Sequence, residues 1–148
     1  MSDIQPIAAR WPGKSAPEGG IEHPAVLHML DVAAVAERLI APLPCPDPLK
    51  QALVLLSALH DLGKISDSFR AMLRDGRMQG FRHWEITEAL LWRHDAILAA
   101  ALGSRVGRRQ LLYAAAAGHH GRPSCRNLEW TGDEANPRPK NDWRAMLD

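Results

Sequence analysis

Apolar residues in this chain recur every three to four positions and nowhere sustain an alternation. Val26, Leu27, Leu30, Val35 and Leu39 predict a first helix over about 24–40, with Pro24 suited to its first turn. Residues 41–48 hold four prolines in eight positions, which predicts a stiff non-helical connector. Residues 49–59 are apolar nearly all round, the pattern of a buried central helix. A short third helix, capped by Ser66 or Asp67, is expected through about Leu73 and is broken at Asp75-Gly76. Ile86, Ala89, Leu90, Ile97 and Leu98 predict a fourth helix over 83–102, stopped by Gly103. A fifth is expected over 106–117, a long loop over 121–140, and a last helix over 141–148 begun by Asn141 or Asp142. The predicted class is all-α: a single domain, 1–148, of five to six helices, preceded by an irregular arm over 1–20.

Composition narrows this picture by exclusion. The 148 residues are 46% hydrophobic and 24% charged with net charge +1, so no whole-protein field attracts nucleic acid and any such contact needs a local basic patch. Cys45 and Cys125 stand alone in Pro-flanked sequence and form no CxxC, which excludes a zinc ribbon. No run reaches the length of a membrane span and residues 1–15 have no apolar signal core, so a soluble cytoplasmic chain with no membrane partner is expected. Gly13-Lys14-Ser15 lacks the glycine five residues earlier (Ala8 stands there) that a phosphate-binding loop requires.

The chemistry lies in the histidines. The central helix delivers His60-Asp61-Leu62-Gly63-Lys64, and an adjacent imidazole and carboxylate suit a first-row divalent metal. His28 and Asp31 share a helical face, His83 opens a helix, and His119-His120 lie between glycines at a helix end. A single histidine is most often half-buried and hydrogen-bonded. The order His, His-Asp, His, His-His reverses that expectation for the set. His23, outside the first helix, and His94, taken as mid-helix beside Asp95 on a solvated face, stay with the ordinary reading. So do Trp84 and Trp92, read as core, and Arg105, Arg108 and Arg109, read as a solubilising face.

This order resembles the HD superfamily of metal-dependent phosphohydrolases. More narrowly, it is similar to the N-terminal HD nuclease domain of the CRISPR-associated helicase-nuclease of type I interference systems. The residues that carry the likeness are Trp11 with Gly13-Lys14-Ser15, His28 leading into Leu30-Asp31-Val32-Ala33-Ala34-Val35-Ala36, Ala58 to Lys64, Phe69, His83, and Gly118-His119-His120-Gly121. The resemblance implies an HD-like bundle around two divalent ions. His28, His60 and Asp61 would hold one, and Asp61, His83, His119 and His120 the other. Lys64 would contact substrate phosphate or the attacking water, which makes Asp61 and Lys64 the candidate catalytic residues. A His-rich set with one shared carboxylate suits Fe, Mn, Co or Ni better than Mg. Two such ions about 3.5–4 Å apart serve in-line phosphodiester hydrolysis. Arg122, beside the His-His pair, is a candidate second contact to phosphate.

The family's pattern includes one further aspartate on a downstream helix. Asp133, Asp142 and Asp148 stand in no matching motif, so the first ion is expected to load weakly or in part. The last helix is accordingly read as shortened, in a fragment or a naturally reduced relative. No Walker A pattern occurs, so ATP-driven translocation would belong to a separate helicase domain or chain. The function implied is a metal-dependent nuclease on single-stranded DNA, partnered by the CRISPR interference complex and a helicase. The alternatives are a non-catalytic HD-fold module that binds or competes for those partners, and an HD phosphohydrolase acting on nucleotides.

Overall fold

The structure is a computed structural model, and it describes residues 11–16, 18, 22–79, 81–103 and 105–121. Among these the fold is all-α, with six α-helices, two short 3₁₀ turns and one two-stranded ribbon. The expected long loop after Gly121, the last helix over 141–148, and residues Arg122, Cys125, Asp133, Asp142 and Asp148 lie outside the described residues.

The ribbon is a departure from the expected irregular arm. Strand β1 (Pro12–Lys14) pairs antiparallel with β2 (His23–Pro24). Three residues that include a proline are too few to show alternation, so only the tertiary contact defines this strand. Trp11, 2% exposed, anchors it against Ala25, Met29 and Ile65. A Cβ on Gly13 would stand 2.8 Å from the Ala25 Cα. The glycine of Gly13-Lys14-Ser15 is therefore needed for close packing.

Helix α1 (Ala25–Ile40) has the expected span, but its buried face is not the expected one. Ala25 and Met29 are buried, whereas Leu27, Leu30, Val35 and Leu39 are exposed. Small side chains such as Ala33 and Ala36 lie on the inner side, partly buried, where α1 packs along α2 (Asp47–Leu59). Helix α2 starts at Asp47 with Pro48 in its first turn, where the missing N–H costs nothing. It is also less central than its composition suggests. Ala52 and Leu56 are buried, most other positions are half-covered, and Leu49 is exposed.

A 3₁₀ turn (Leu62–Lys64) follows, then α3 (Asp67–Asp75). Ser66 caps α3 by accepting the Phe69 N–H through Oγ at 3.3 Å, and Gly76 ends it with φ of 64°. The most buried helix is α4 (His83–Arg93), enclosed at His83, Ile86, Thr87, Glu88, Leu90 and Leu91. It is covered by the 3₁₀ turn, by α5 (Asp95–Leu102) and by α6 (Val106–Ala117).

The single helix expected over 83–102 is two helices that meet at His94 (φ −101°, ψ 18°). Asp95 opens α5 and is bound by Arg109 and Tyr113 of α6, so the second half turns toward that helix. Arg109 is consequently buried, contrary to its reading as part of a solubilising face, and Asp95 is half-buried in the ion pair.

Two apolar clusters result. One joins Trp11, Ala25, Met29 and Ile65, with Val26 and Leu62 against it. The other joins Leu56, Leu91 and Tyr113, with Leu59, Trp92 and Leu98 among the residues against it. Leu59 belongs to one and Leu62 to the other, so Asp61 sits at the seam between them.

Candidate metal centre

Asp61 is the hub of the site, and its position follows from the turn that carries it. His60 ends α2, and the chain then tightens into the 3₁₀ turn, with the Lys64 N–H donated to the Asp61 carbonyl at 2.9 Å. Gly63 lets this turn lie flat on the start of α4. A Cβ there would meet the His83 carbonyl oxygen at 1.9 Å. The Gly63 N–H donates to Thr87 Oγ1 at 2.9 Å, and the Ser66 hydroxyl donates back to the Gly63 carbonyl at 2.9 Å. These bonds fix the Asp61 turn relative to His83.

The two carboxylate oxygens of Asp61 face different partners. Toward Oδ2 lie His28 Nε2 at 3.1 Å, His60 Nε2 at 3.0 Å and Lys64 Nζ at 2.7 Å. Toward Oδ1 lie His119 Nε2 at 3.3 Å and His83 Nε2 at 3.5 Å, and His120 Nε2 stands 2.9 Å from His83 Nε2. The potential donor atoms fall into two groups, each within 4.8 Å: His28, His60 and Asp61, and Asp61, His83, His119 and His120. Asp61 alone is common to both.

Tautomers decide what these contacts mean. His60 Nδ1–H donates to the Ser57 carbonyl at 2.7 Å, and His119 Nδ1–H donates to the Ala116 carbonyl at 2.9 Å. A neutral ring so held presents a bare Nε2 lone pair, and both lone pairs aim at a carboxylate that itself only accepts. His83 and His120 likewise bring two Nε2 atoms together. Such contacts are repulsive unless protons or a cation stand among them. Asp61 Oδ1 is buried with no hydrogen bond of good geometry. Imidazoles oriented through backbone carbonyls around one carboxylate are the donor set a divalent transition metal takes, and the residues present fit that ion.

The electrostatics agree. Burial disfavours ionised Asp61, yet the close approach of His119, His60 and Lys64 outweighs it and holds the carboxyl well below the usual range. Burial pushes His83 down to about 4, with Asp61 pulling the other way and Lys64 adding to the depression. His28 is lowered by burial and then by Lys64, and His120 by burial and then by His119. His119 is raised, chiefly by the Asp61 carboxylate beside it. Most of the rings are thus biased toward the neutral form that ligates, while the carboxylate stays charged.

A family model for the HD domain of Cas3 matches residues 11–148. The chain belongs to that family. The family is one of metal-dependent nucleases of type I CRISPR systems, a hydrolase family. No curated protein and no solved structure matches the chain. Among the described residues no helix is long and apolar enough to cross a membrane.

The structure therefore brings together His28, His60, Asp61, Lys64, His83, His119 and His120, while Arg122 lies outside the described residues. Lys64 is bound to Asp61 itself, so it points into the site. His23 lies beside His28, with ring centroids 6.3 Å apart, and is held by Asp31 at 2.9 Å. It belongs to neither donor group, and Asp31 serves His23 rather than the centre. Trp84, read as core, instead abuts the rings of His83 and His120 with centroids 5.2 Å and 5.1 Å away. The carbonyls of Ser57 and Ala116 and the hydroxyl of Thr87 have no signal in the sequence. Any residue supplies a carbonyl, and a threonine inside a helix is unremarked without the turn it holds.

Proposed function

We propose that the chain is a nuclease acting on single-stranded DNA by phosphodiester hydrolysis, working with the CRISPR interference complex and a helicase domain or chain. The observation that carries this reading is the split of Asp61, with one oxygen toward His28 and His60 and the other toward His83 and His119. His28, His60 and Asp61 would hold one ion, and Asp61, His83, His119 and His120 a second, with Fe, Mn, Co or Ni matching the imidazole donors. When bound, such ions would lower the pKa of a water and offset charge developing on a phosphodiester. His60 and His119 keep their Nε2 lone pairs aimed inward through their bonds to Ser57 and Ala116. Gly63 and Thr87 keep Asp61 in register with His83. Lys64, one turn beyond Asp61, supplies a positive charge at the same point, where a scissile phosphate or the attacking water would lie.

Among the described residues the first group has three donors against four in the second. That shortfall favours one other reading, a non-catalytic module of the interference complex. Metal content of protein purified without chelator, followed by cleavage of a single-stranded oligonucleotide with added Mn, Co or Ni, separates the two. The nuclease reading expects bound metal and cleavage that is lost in His60→Ala. A folded wild-type chain that holds at most one ion and cleaves nothing under any of these metals would overturn it in favour of the module.

A further inference from the structure

Arg82 immediately precedes His83, and its guanidinium differs in setting from the other cations around the centre. Lys64 is bound to Asp61, Arg70 to Asp67 and Arg74 to Glu22. Arg82 is exposed, and among the described residues no carboxylate forms an ion pair with its side chain. Its guanidinium carbon lies 5.0 Å from the centroid of the Trp84 ring. That ring in turn contacts His83 and His120, the rings that border the Oδ1 side of Asp61. His120 is on the surface, so this side of the centre opens to solvent next to Arg82.

An exposed arginine ordinarily spreads over many rotamers, and ordering it on a phosphate costs conformational entropy. Stacking on Trp84 orders it beforehand, through a cation–π contact that leaves the N–H edge free to donate. The fork of donors on a guanidinium matches two phosphate oxygens. Backbone placement is secured independently of the side chain, because the Arg82 N–H donates to Glu85 Oε2 at 2.8 Å at the start of α4.

We propose that Arg82 is a substrate-binding residue that grips a backbone phosphate flanking the scissile bond of a nucleic-acid strand, and that Trp84 is its positioning residue. The inference rests on the nuclease reading and names the side from which the strand is held, that of His83 and His120. The sequence gives little sign of it, since Arg-His-Trp looks like a histidine between two unrelated residues.

The test is the salt dependence of binding. A fluorescent single-stranded oligodeoxynucleotide is titrated in chelator, so that no cleavage occurs, at several salt concentrations. Each phosphate contact on a single strand contributes about 0.7 to the slope of log K against log salt. Arg82→Ala is expected to reduce the slope by about that amount and weaken binding several-fold. Metal content and melting temperature should remain those of wild type, as befits an exposed side chain. Arg82→Lys should restore the slope but not the full affinity, because the charge returns without the stack. Trp84→Leu should weaken binding in the wild type and add nothing to Arg82→Ala. Arg105→Ala, an exposed cation at the far end of α6, should leave the slope unchanged. An Arg82→Ala slope equal to wild type, or an equal drop in Arg105→Ala, overturns the inference while leaving the nuclease reading standing. A wild-type chain that neither binds nor cleaves the oligonucleotide overturns both.

Discussion

Two polar clusters lie inside this small bundle, and they are built on opposite principles. At the far side of α4 from the Asp61 turn, Asp95, Arg109 and Tyr113 form a closed set. Arg109 donates through Nε and one terminal nitrogen to both Asp95 oxygens at 2.6 Å, and through the other terminal nitrogen to the Gly103 carbonyl at 2.6 Å. The Tyr113 hydroxyl donates to Asp95 Oδ1 at 2.9 Å. Each Arg109 nitrogen and the Tyr113 hydroxyl meets an acceptor, and both Asp95 oxygens are met by donors. Around Asp61 the matching fails by design of the surroundings: imidazole lone pairs and carboxylate oxygens converge, and one buried oxygen lacks a well-aligned donor. A satisfied cluster ties helices together, whereas an acceptor-rich one is a receptor for a cation.

The sharpest way to break this comparison is to neutralise each carboxylate in turn. Asp61→Asn removes the shared charge while nearly conserving shape. Metal affinity is expected to fall by at least about a hundredfold, beyond the 10–100-fold seen when only an outer-shell partner of a metal ligand is lost. The rise in melting temperature on adding Mn or Co should vanish with it, because an ion that no longer binds the native state no longer stabilises it. Asp95→Asn should do the reverse: melt earlier with or without metal, yet load as much metal as wild type. Metal analysis and thermal melts on both variants check this. Equal metal content in Asp61→Asn and wild type would dissolve the distinction.

This contrast also explains what was legible beforehand. The open cluster is spelled out by residue type, because metal ligands must be histidine or aspartate and their order along the chain is visible. The closed cluster hides, since Asp95, Arg109 and Tyr113 are ordinary on helix surfaces until α5 turns at His94. The helical class and the span of α1 could be read from the 3.6-residue period. Which face of α1 is buried could not, because Leu27, Leu30 and Leu39 carry the stronger apolar signal, yet the small residues with Met29 pack inward. The strand at Pro12–Lys14 was illegible for the same reason. It depends on Gly13 fitting against Ala25 and on Trp11 seated in the core.

A smaller effect is expected at the joint between the turn and α4. Gly63→Ala sets a methyl against the His83 carbonyl, a backbone atom that can only shift with the start of α4. Overpacking of this kind costs roughly 1–3 kcal/mol. Because His83 moves with it, the Oδ1 group should lose metal affinity as well, while the Asp95 cluster at the other end of α4 stays intact. Urea unfolding paired with metal titration reads both consequences. A variant with wild-type stability and wild-type loading would mean that the turn does not set the register of the centre.

The mildest test belongs to the closed cluster and is read through pH. Burial, reinforced by the bond to Asp95, pushes the Tyr113 hydroxyl up to about 12, against about 10 in an unfolded chain. The folded state therefore holds this proton more tightly. The resulting stabilisation is complete below pH about 10 and is lost as pH rises through about 12. Tyr113→Phe keeps the ring in contact with Trp92 and removes only the hydroxyl, at a cost of about 1 kcal/mol near neutrality. Between pH 10 and 12 the gap between wild type and variant should close and then change sign, since the phenylalanine has nothing to ionise. At the acid end the sign is opposite. Asp95 is held below its ordinary value, first by Arg109, so its contribution is present above about pH 4 and fades as pH falls through its lower folded value. Urea unfolding of metal-free wild type and Tyr113→Phe across the alkaline range measures the gap directly. A constant gap from pH 8 to 12 would show that the hydroxyl is no part of a closed network, and the comparison with Asp61 would lose its reference point.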